Sequence, residues 1–209
     1  MNILVADDHS IVRKGLHGII SRRPAWKIGA EAATADELFA ALARDRFDVL
    51  VLDLVLRDRS GIDLLAELRR AYPSLPVLML SMHPEEQYAI RCLRAGAKAY
   101  VSKDASADEI LEAIERVASG RPWVSSAVAE QLAAQVGATA EAVPAHELLS
   151  PREFEVFRLL AAGRTMTEIA ATLRISIKTA STYRARILEK TGFHSNADIV
   201  AYAVRANLI

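Results

Sequence analysis

Val49-Leu50-Val51-Leu52-Asp53-Leu54-Val55-Leu56 is the most apolar run of the chain, and one carboxylate, Asp53, interrupts it. The run is far shorter than the roughly 20 apolar residues that cross a bilayer. Val49–Leu52 reads instead as a strand buried on both faces, because a parallel sheet covered by helices needs apolar side chains at every position. Asp53 then marks the carboxyl end of that strand. Working outward, Ile3–Ala6, Ile28–Ala32, Val77–Leu80 and Ala99–Val101 repeat the pattern. Helical periodicity fills the intervals and follows the last strand, over Ile11–Arg22, Ala35–Arg44, Gly61–Tyr72, Glu85–Ala95 and Ala107–Val117. Thr34 with Glu37 and Ser106 with Glu109 supply capping boxes for two of these helices. Strict strand-helix alternation argues for a parallel sheet covered on both faces.

The fold class is therefore α/β, a flavodoxin-like (βα)5 parallel-sheet domain over residues 1–120, followed by a smaller all-α domain. The pattern breaks at Ser119, and residues 121–147 read as a linker. It contains one further helical pattern at Ala127–Val136, ahead of the Ala-rich, Pro-containing stretch Gly137–His146. Residues 148–209 carry no strand signal. Their short helices open on Ser150 before Pro151 and Glu153, on Thr165 with Glu168, on Ser176, and on Ser195 with Asp198.

Composition bounds the function classes. The chain has 209 residues, 52% hydrophobic and 25% charged, an ordinary globular balance with room for two modest domains. Its start runs straight into Asp7 and Asp8 with no basic lead-in or cleavage site, so a cytoplasmic protein with no membrane partner is expected. Cys92 is the only cysteine, and none of the five histidines stands at a metal-ligand spacing with it, which removes a disulfide framework. Net charge is zero, but residues 1–120 hold 16 Lys/Arg against 18 Asp/Glu, while residues 149–209 hold 9 against 5. The basic C-terminal third favours a polyanionic partner.

Asp7 and Asp8 follow the first strand, Asp53 the third, Ser81 the fourth, and Lys103 lies just past the fifth. In an open α/β sheet these positions share the carboxyl edge, where such folds place ligands. Three carboxylates brought together there take up protons unless a hard divalent cation neutralises them, and oxygen ligation suits Mg²⁺ or Mn²⁺. Asp53 would accept a phosphoryl group as an acyl phosphate, held by Lys103 and the Ser81 hydroxyl. Any one of these residues could merely begin a loop, since Asp is common in turns; the register of all five with the strand ends argues otherwise.

Asp7-Asp8, the Asp53-Leu54 segment ending at Gly61, Ser81, and the stretch from Ala95 to Lys103 resemble a response-regulator receiver domain. The resemblance implies that Asp7, Asp8, Asp53 and the Val55 carbonyl bind Mg²⁺, that a sensor histidine kinase phosphorylates Asp53, and that Ser81 and Tyr100 move together on phosphorylation. Two residues depart from the pattern. Arg57 stands where the family usually has Pro, and Asp104 follows Lys103 where many receivers have Pro.

From Leu149 the chain runs Leu-Ser-Pro-Arg-Glu, then Ala161-Ala162-Gly163, Glu168-Ile169-Ala170, Leu173-Arg174-Ile175-Ser176 and Lys178-Thr179, which resembles the LuxR-type helix-turn-helix of the NarL/FixJ regulators. Glu168–Leu173 reads as the scaffold helix, Arg174–Ser176 as the turn, and Ile177–Thr191 as the recognition helix. On the last, Ile177, Ala180, Ile187 and Leu188 form an apolar stripe, leaving the opposite face outward. By the general docking of such helices, Ser181, Thr182 and Ala185 would meet base edges, and Lys178, Thr179, Arg184 and Arg186 phosphates of a double-stranded DNA operator. Ala180, Tyr183 and Thr191 differ from the family's usual Val, His and Leu. The family dimerises through its last helix, which assigns Ile199, Tyr202 and Ala203 to a homodimer contact on DNA; the same residues would equally serve as core.

The function these readings imply is a DNA-binding transcriptional regulator switched by Mg²⁺-dependent phosphorylation of Asp53. A phosphorylation-independent transcription factor, with the receiver acting as a dimerisation module, is the alternative that Arg57 keeps open. An enzyme is disfavoured: haloacid-dehalogenase phosphatases need a second Asp two residues after the nucleophile, where Val55 stands, and no P-loop or dinucleotide fingerprint is present.

Overall fold

A computed structural model of the chain describes residues 1–57, 59–137 and 144–209. Backbone contacts divide the chain into two units, Met1–Gly137 and Ala138–Ile209. Residues 138–143, within the stretch read as linker, lie outside the described residues.

The first unit runs β1 (Asn2–Ala6), α1 (Ser10–Ile20), β2 (Lys27–Ala32), α2 (Ala35–Arg44), β3 (Val49–Asp53), α3 (Gly61–Ala71), β4 (Val77–Ser81), α4 (Glu85–Ala95), β5 (Ala99–Ser102), α5 (Ala107–Ala118) and α6 (Ser126–Gly137). Its strands form one parallel sheet in the order β2-β1-β3-β4-β5. Strand order reverses between β1 and β3, which opens a crevice at their carboxyl ends. Every position of β3 and β4 is buried, as the unbroken apolar runs require. Ile3, Val5, Val49, Val51, Leu78 and Leu80 pack with Leu16 and Ile20 of α1 and with Ile110, Ile114 and Val117 of α5. Leu4, Leu50, Leu52 and Met79 are as deeply buried, and strand alternation turns them to the other face.

Only half of each expected box forms at α2 and α5. Thr34 and Ser106 accept the Glu37 and Glu109 amides at 3.2 Å, but Glu37 reaches back to the Ala33 amide rather than to that of Thr34. The chain after α5 also differs from a linker. The Trp123 amide donates to the Lys98 carbonyl at 3.0 Å, Trp123 bridges Ala99 beside β5, and its ring joins the core. α6 then packs against α4.

The second unit opens on a 3-10 turn, Ala145–Leu148, followed by α7 (Pro151–Ala161), α8 (Met166–Leu173), α9 (Ile177–Thr191) and α10 (Asn196–Arg205). Complete capping boxes at Ser150/Glu153, Thr165/Glu168 and Ser195/Asp198 fix three of these starts. α8 ends on Arg174 at φ +53°, and the Ile175 amide closes the turn onto the Ala170 carbonyl at 3.0 Å. A non-glycine residue in this left-handed region costs about 1–2 kcal/mol. Phe154, Phe157, Ile169, Ala180, Ile187, Ile199 and Ala203 fill the core. Among the described residues no helix is long and apolar enough to cross a membrane.

Candidate functional site

Asp7 follows β1, Asp53 ends β3, and Lys103 follows β5, so the sheet itself delivers three charged groups to the crevice. Lys103 Nζ lies 2.7 Å from Asp53 Oδ2 and 2.7 Å from Asp7 Oδ2, with all three side chains nearly enclosed. Asp7, Asp8, His9 and Asp53 each present a ligand atom within 4.8 Å of the others. His9 is the member that the sequence reading missed. Its Nδ1 stands 2.8 Å from Asp8 Oδ1 and 3.9 Å from Asp53 Oδ2, and the signal for it was its place directly after the two aspartates.

The electrostatics follow from enclosure. Burial pushes the Asp53 carboxyl up, the Lys103 hydrogen bond pulls it down and the Asp7 charge raises it again, leaving it at about 6. Burial alone would lower Lys103, but its bonds to Asp53 and Asp7 hold its pKa above the ordinary value. Asp7 Oδ2 is buried against Lys103 Nζ, and Asp8 Oδ1 is buried against His9 Nδ1. Three carboxylates converging within 4.8 Å beside a single lysine form an oxygen-rich donor set that fits a hard divalent cation.

Gly61 explains how the acceptor loop closes. A Cβ at Gly61 would lie 2.1 Å from the Asp53 carbonyl oxygen, so only glycine permits α3 to begin against the end of β3. The Val55 backbone amide opposes the rise of the Asp53 pKa, and Val55 is 42% exposed. Arg57 is exposed beside it.

Ser81 ends β4, the strand paired with β3, and Tyr100 lies on β5; both are fully buried. The Ser81 Oγ accepts the His83 amide at 3.1 Å, and the Tyr100 hydroxyl donates to the His83 carbonyl at 2.8 Å. Burial pushes the Tyr100 phenol up, and the neighbouring Ser81 hydroxyl opposes the shift.

On α9, Lys178, Thr179, Ser181, Thr182, Ala185 and Arg186 are exposed, and a groove of about 270 Å³ is lined by Lys178, Thr179, Thr182, Tyr183 and Arg186. Ala180 and Ile187 are buried, but Ile177 is 52% exposed and not part of the inward stripe. It occupies the first position of the helix, where the scaffold no longer covers it. Arg184 also departs from its expected place. It is half-buried, and its Nε donates to Asn196 Oδ1 at 2.7 Å, because position 184 stands four after Ala180 and three before Ile187 on the inner side. Residues outside the expected site hold α9 in position. Lys190 Nζ binds Glu153 Oε2 of α7 at 2.7 Å, and the Arg152 guanidinium fixes the end of α8, just before the turn into α9, by donating to the Leu173 carbonyl at 2.7 Å.

Of the three residues assigned to a dimer contact, Ile199 and Ala203 are corrected to core, while Tyr202 is half-buried. Ile199 and Ala203 are 0% exposed within the unit's own core. The Tyr202 hydroxyl meets His146 Nδ1 at 2.7 Å, and its ring packs near Phe193 and Phe157. The apolar stripe of α10 is therefore used inside its own domain. The helix exposes Asn196, Ala197, Ala201, Val204 and Arg205, of which Ala197, Ala201 and Val204 are apolar.

Residues 3–115 match the family described as the response regulator receiver domain, and residues 147–203 match the bacterial regulatory proteins of the luxR family. The oxygen regulatory protein NreC of Staphylococcus aureus is 32% identical, over 100% of this chain and 99% of its own. The structure of RcsB from Salmonella enterica serovar Typhimurium, bound to promoter rprA with phosphomimetic BeF3−, is 27% identical. It covers 97% of this chain and 98% of its own with a TM-score of 0.66. A second structure, of two RcsB dimers bound to two parallel DNAs, is 26% identical over 98% of each chain with a TM-score of 0.61. With a receiver domain at its head and a luxR-type DNA-binding domain at its tail, the chain belongs to the response regulators of two-component systems, which regulate transcription.

Proposed function

We propose that Asp53 accepts a phosphoryl group from a sensor histidine kinase and that this modification controls binding of α9 to a double-stranded operator. The observation that carries the reading is Lys103 Nζ, 2.7 Å from both Asp53 and Asp7 in an enclosed acidic crevice. An Asp53 carboxylate oxygen forms a bond to phosphorus as the phosphohistidine P–N bond breaks, and the imidazole leaves with the electron pair. Lys103 then neutralises the new oxygens, while Ser81 stands one strand away to hydrogen-bond one of them. Asp7, Asp8 and the Asp53 carboxylate, with the Val55 carbonyl, would hold Mg²⁺ or Mn²⁺, which supplies charge neutralisation for the incoming phosphoryl group.

At the other end, Ser181, Thr182 and Ala185 meet base edges, and Lys178, Thr179 and Arg186 meet phosphates. Arg184 is withdrawn from the phosphate set because of its bond to Asn196. The RcsB structures with DNA, one of them containing dimers, support a homodimer on DNA here too. The exposed Ala197, Ala201 and Val204 face of α10 is the contact we assign to it.

The test is intact-mass spectrometry after incubation with acetyl phosphate and Mg²⁺, beside Asp53→Asn. A Mg²⁺-dependent phosphoryl adduct on the wild type alone is expected. No adduct, or an equal one on the variant, would overturn the reading and favour a receiver that acts by dimerisation.

A further inference from the structure

We infer that Ser125 and Glu85 are a positioning pair through which the phosphorylation pocket acts on α6, the helix nearest in sequence to the DNA-binding domain; the inference rests on the phosphorylation reading above. Three contacts in series lead to it. Both backbone groups of His83 are held from the pocket side, its amide by Ser81 Oγ at 3.1 Å and its carbonyl by the Tyr100 hydroxyl at 2.8 Å. A Ser81 hydroxyl that turns toward a phosphoryl oxygen weakens its hold on the His83 amide, so the His83 peptide shifts.

The second contact is covalent and stiff. Pro84, with φ −56° fixed by its ring, is the only residue between His83 and Glu85, the first residue of α4. Movement at His83 therefore reaches the start of α4 with little slack.

The third contact crosses to α6. The Ser125 hydroxyl donates to Glu85 Oε2 at 2.5 Å and accepts the Val128 amide at 3.3 Å, while the Ser125 carbonyl accepts the Ala129 amide at 3.0 Å. Ser125 thus caps α6 with the same oxygen that it offers to α4. Val128, fully buried, seats α6 on the unit, and Trp123 anchors the preceding strand-like segment beside β5. A shift of Glu85 either drags the cap or breaks it, and the first turn of α6 loosens. Ser125 touches neither the phosphoryl group nor DNA and acts only through Glu85.

Hydrogen exchange of the full chain tests this, with and without acetyl phosphate and Mg²⁺, and with the adduct measured by mass in the same samples. In the wild type, amides 128–132 exchange about fivefold faster once the adduct forms, the change expected for loss of one capping hydrogen bond. Ser125→Ala takes up the adduct normally but shows the same fast exchange in both states, and Ser125→Thr, which keeps the hydroxyl, restores the difference. Glu85→Ala repeats the loss without touching the cap itself. An adduct on the wild type with no change at 128–132 would overturn the inference alone, as would a wild-type ratio in Ser125→Ala. Absence of the adduct from the wild type would overturn the phosphorylation reading with it.

Discussion

In the crevice of the receiver, Asp7 and Asp53 are nearly enclosed and share one lysine, whereas Lys178 and Arg186 on α9 stand in water. The first arrangement holds electrostatic stress inside the fold, and the second leaves charge where an external polyanion can reach it. Stress is what allows a small chemical change to move a structure, because relief at the site is felt by everything packed on it. Exposed charge does the reverse, contributing almost nothing to stability and a great deal to encounter with DNA.

Lys103→Met should break the comparison most severely. It leaves two enclosed carboxylates without their cation, and loss of one member of a buried ion set destabilises by about 3–5 kcal/mol. Urea unfolding of metal-free protein at pH 8 would measure it, and excess Mg²⁺ should recover much of the loss.

The pH dependence of the receiver comes next. The folded pKa of Asp53 is raised from 3.8 to about 6, so the folded state binds the proton more tightly than the unfolded state. Its contribution to stability is therefore fully present below the lower value and is lost as pH rises through the higher one, a change of about 3 kcal/mol. Asp53→Asn should remove that slope in metal-free denaturation curves between the two values.

The helical domain should show the opposite sign. Burial raises the Glu153 carboxyl, but the Lys190 and Ser150 hydrogen bonds outweigh it and hold its pKa below 4.5. Stability there is present above that value and falls as acid protonates the group. Glu153→Ala removes half of the capping box and the Lys190 contact, and should cost about 1–2 kcal/mol in thermal unfolding of the full chain's second transition.

The smallest effects sharpen the comparison on α9. Arg186→Gln should leave stability unchanged and lower the slope of log affinity against log salt by about 1, as expected for one lost phosphate contact. Arg184→Gln should leave that slope intact. Equal slopes for the two variants, measured on one duplex, would return Arg184 to the phosphate set.

These differences also show what a linear pattern can disclose. The five strands were legible because β3 and β4 are apolar without interruption, and the crevice was legible because strand ends fix where Asp7, Asp53 and Lys103 must meet. An apolar stripe reports that a face is covered and is silent about what covers it, which is why Ile199 and Ala203 read equally as dimer contact or core, and the fold buries them in their own unit. Charge alone assigns Arg184 to the phosphates, whereas its spacing from Ala180 and Ile187 sets it toward the inner side, where its Nε meets Asn196. The docking of Trp123 and α6 onto β5 and α4 was invisible because it depends on residues far apart in the chain. His9 escaped because a histidine beside aspartates was weighed only against the single cysteine.

Arg174 carries a lesson for anyone engineering this regulator. At φ +53° the backbone asks for glycine, and Arg174→Gly would relax the turn into α9 by removing the clash of a Cβ. The same change deletes an exposed cation from the turn that introduces the recognition helix. A screen that rewards melting temperature alone would thus select a sturdier, less basic turn, so stability and DNA affinity would have to be scored separately.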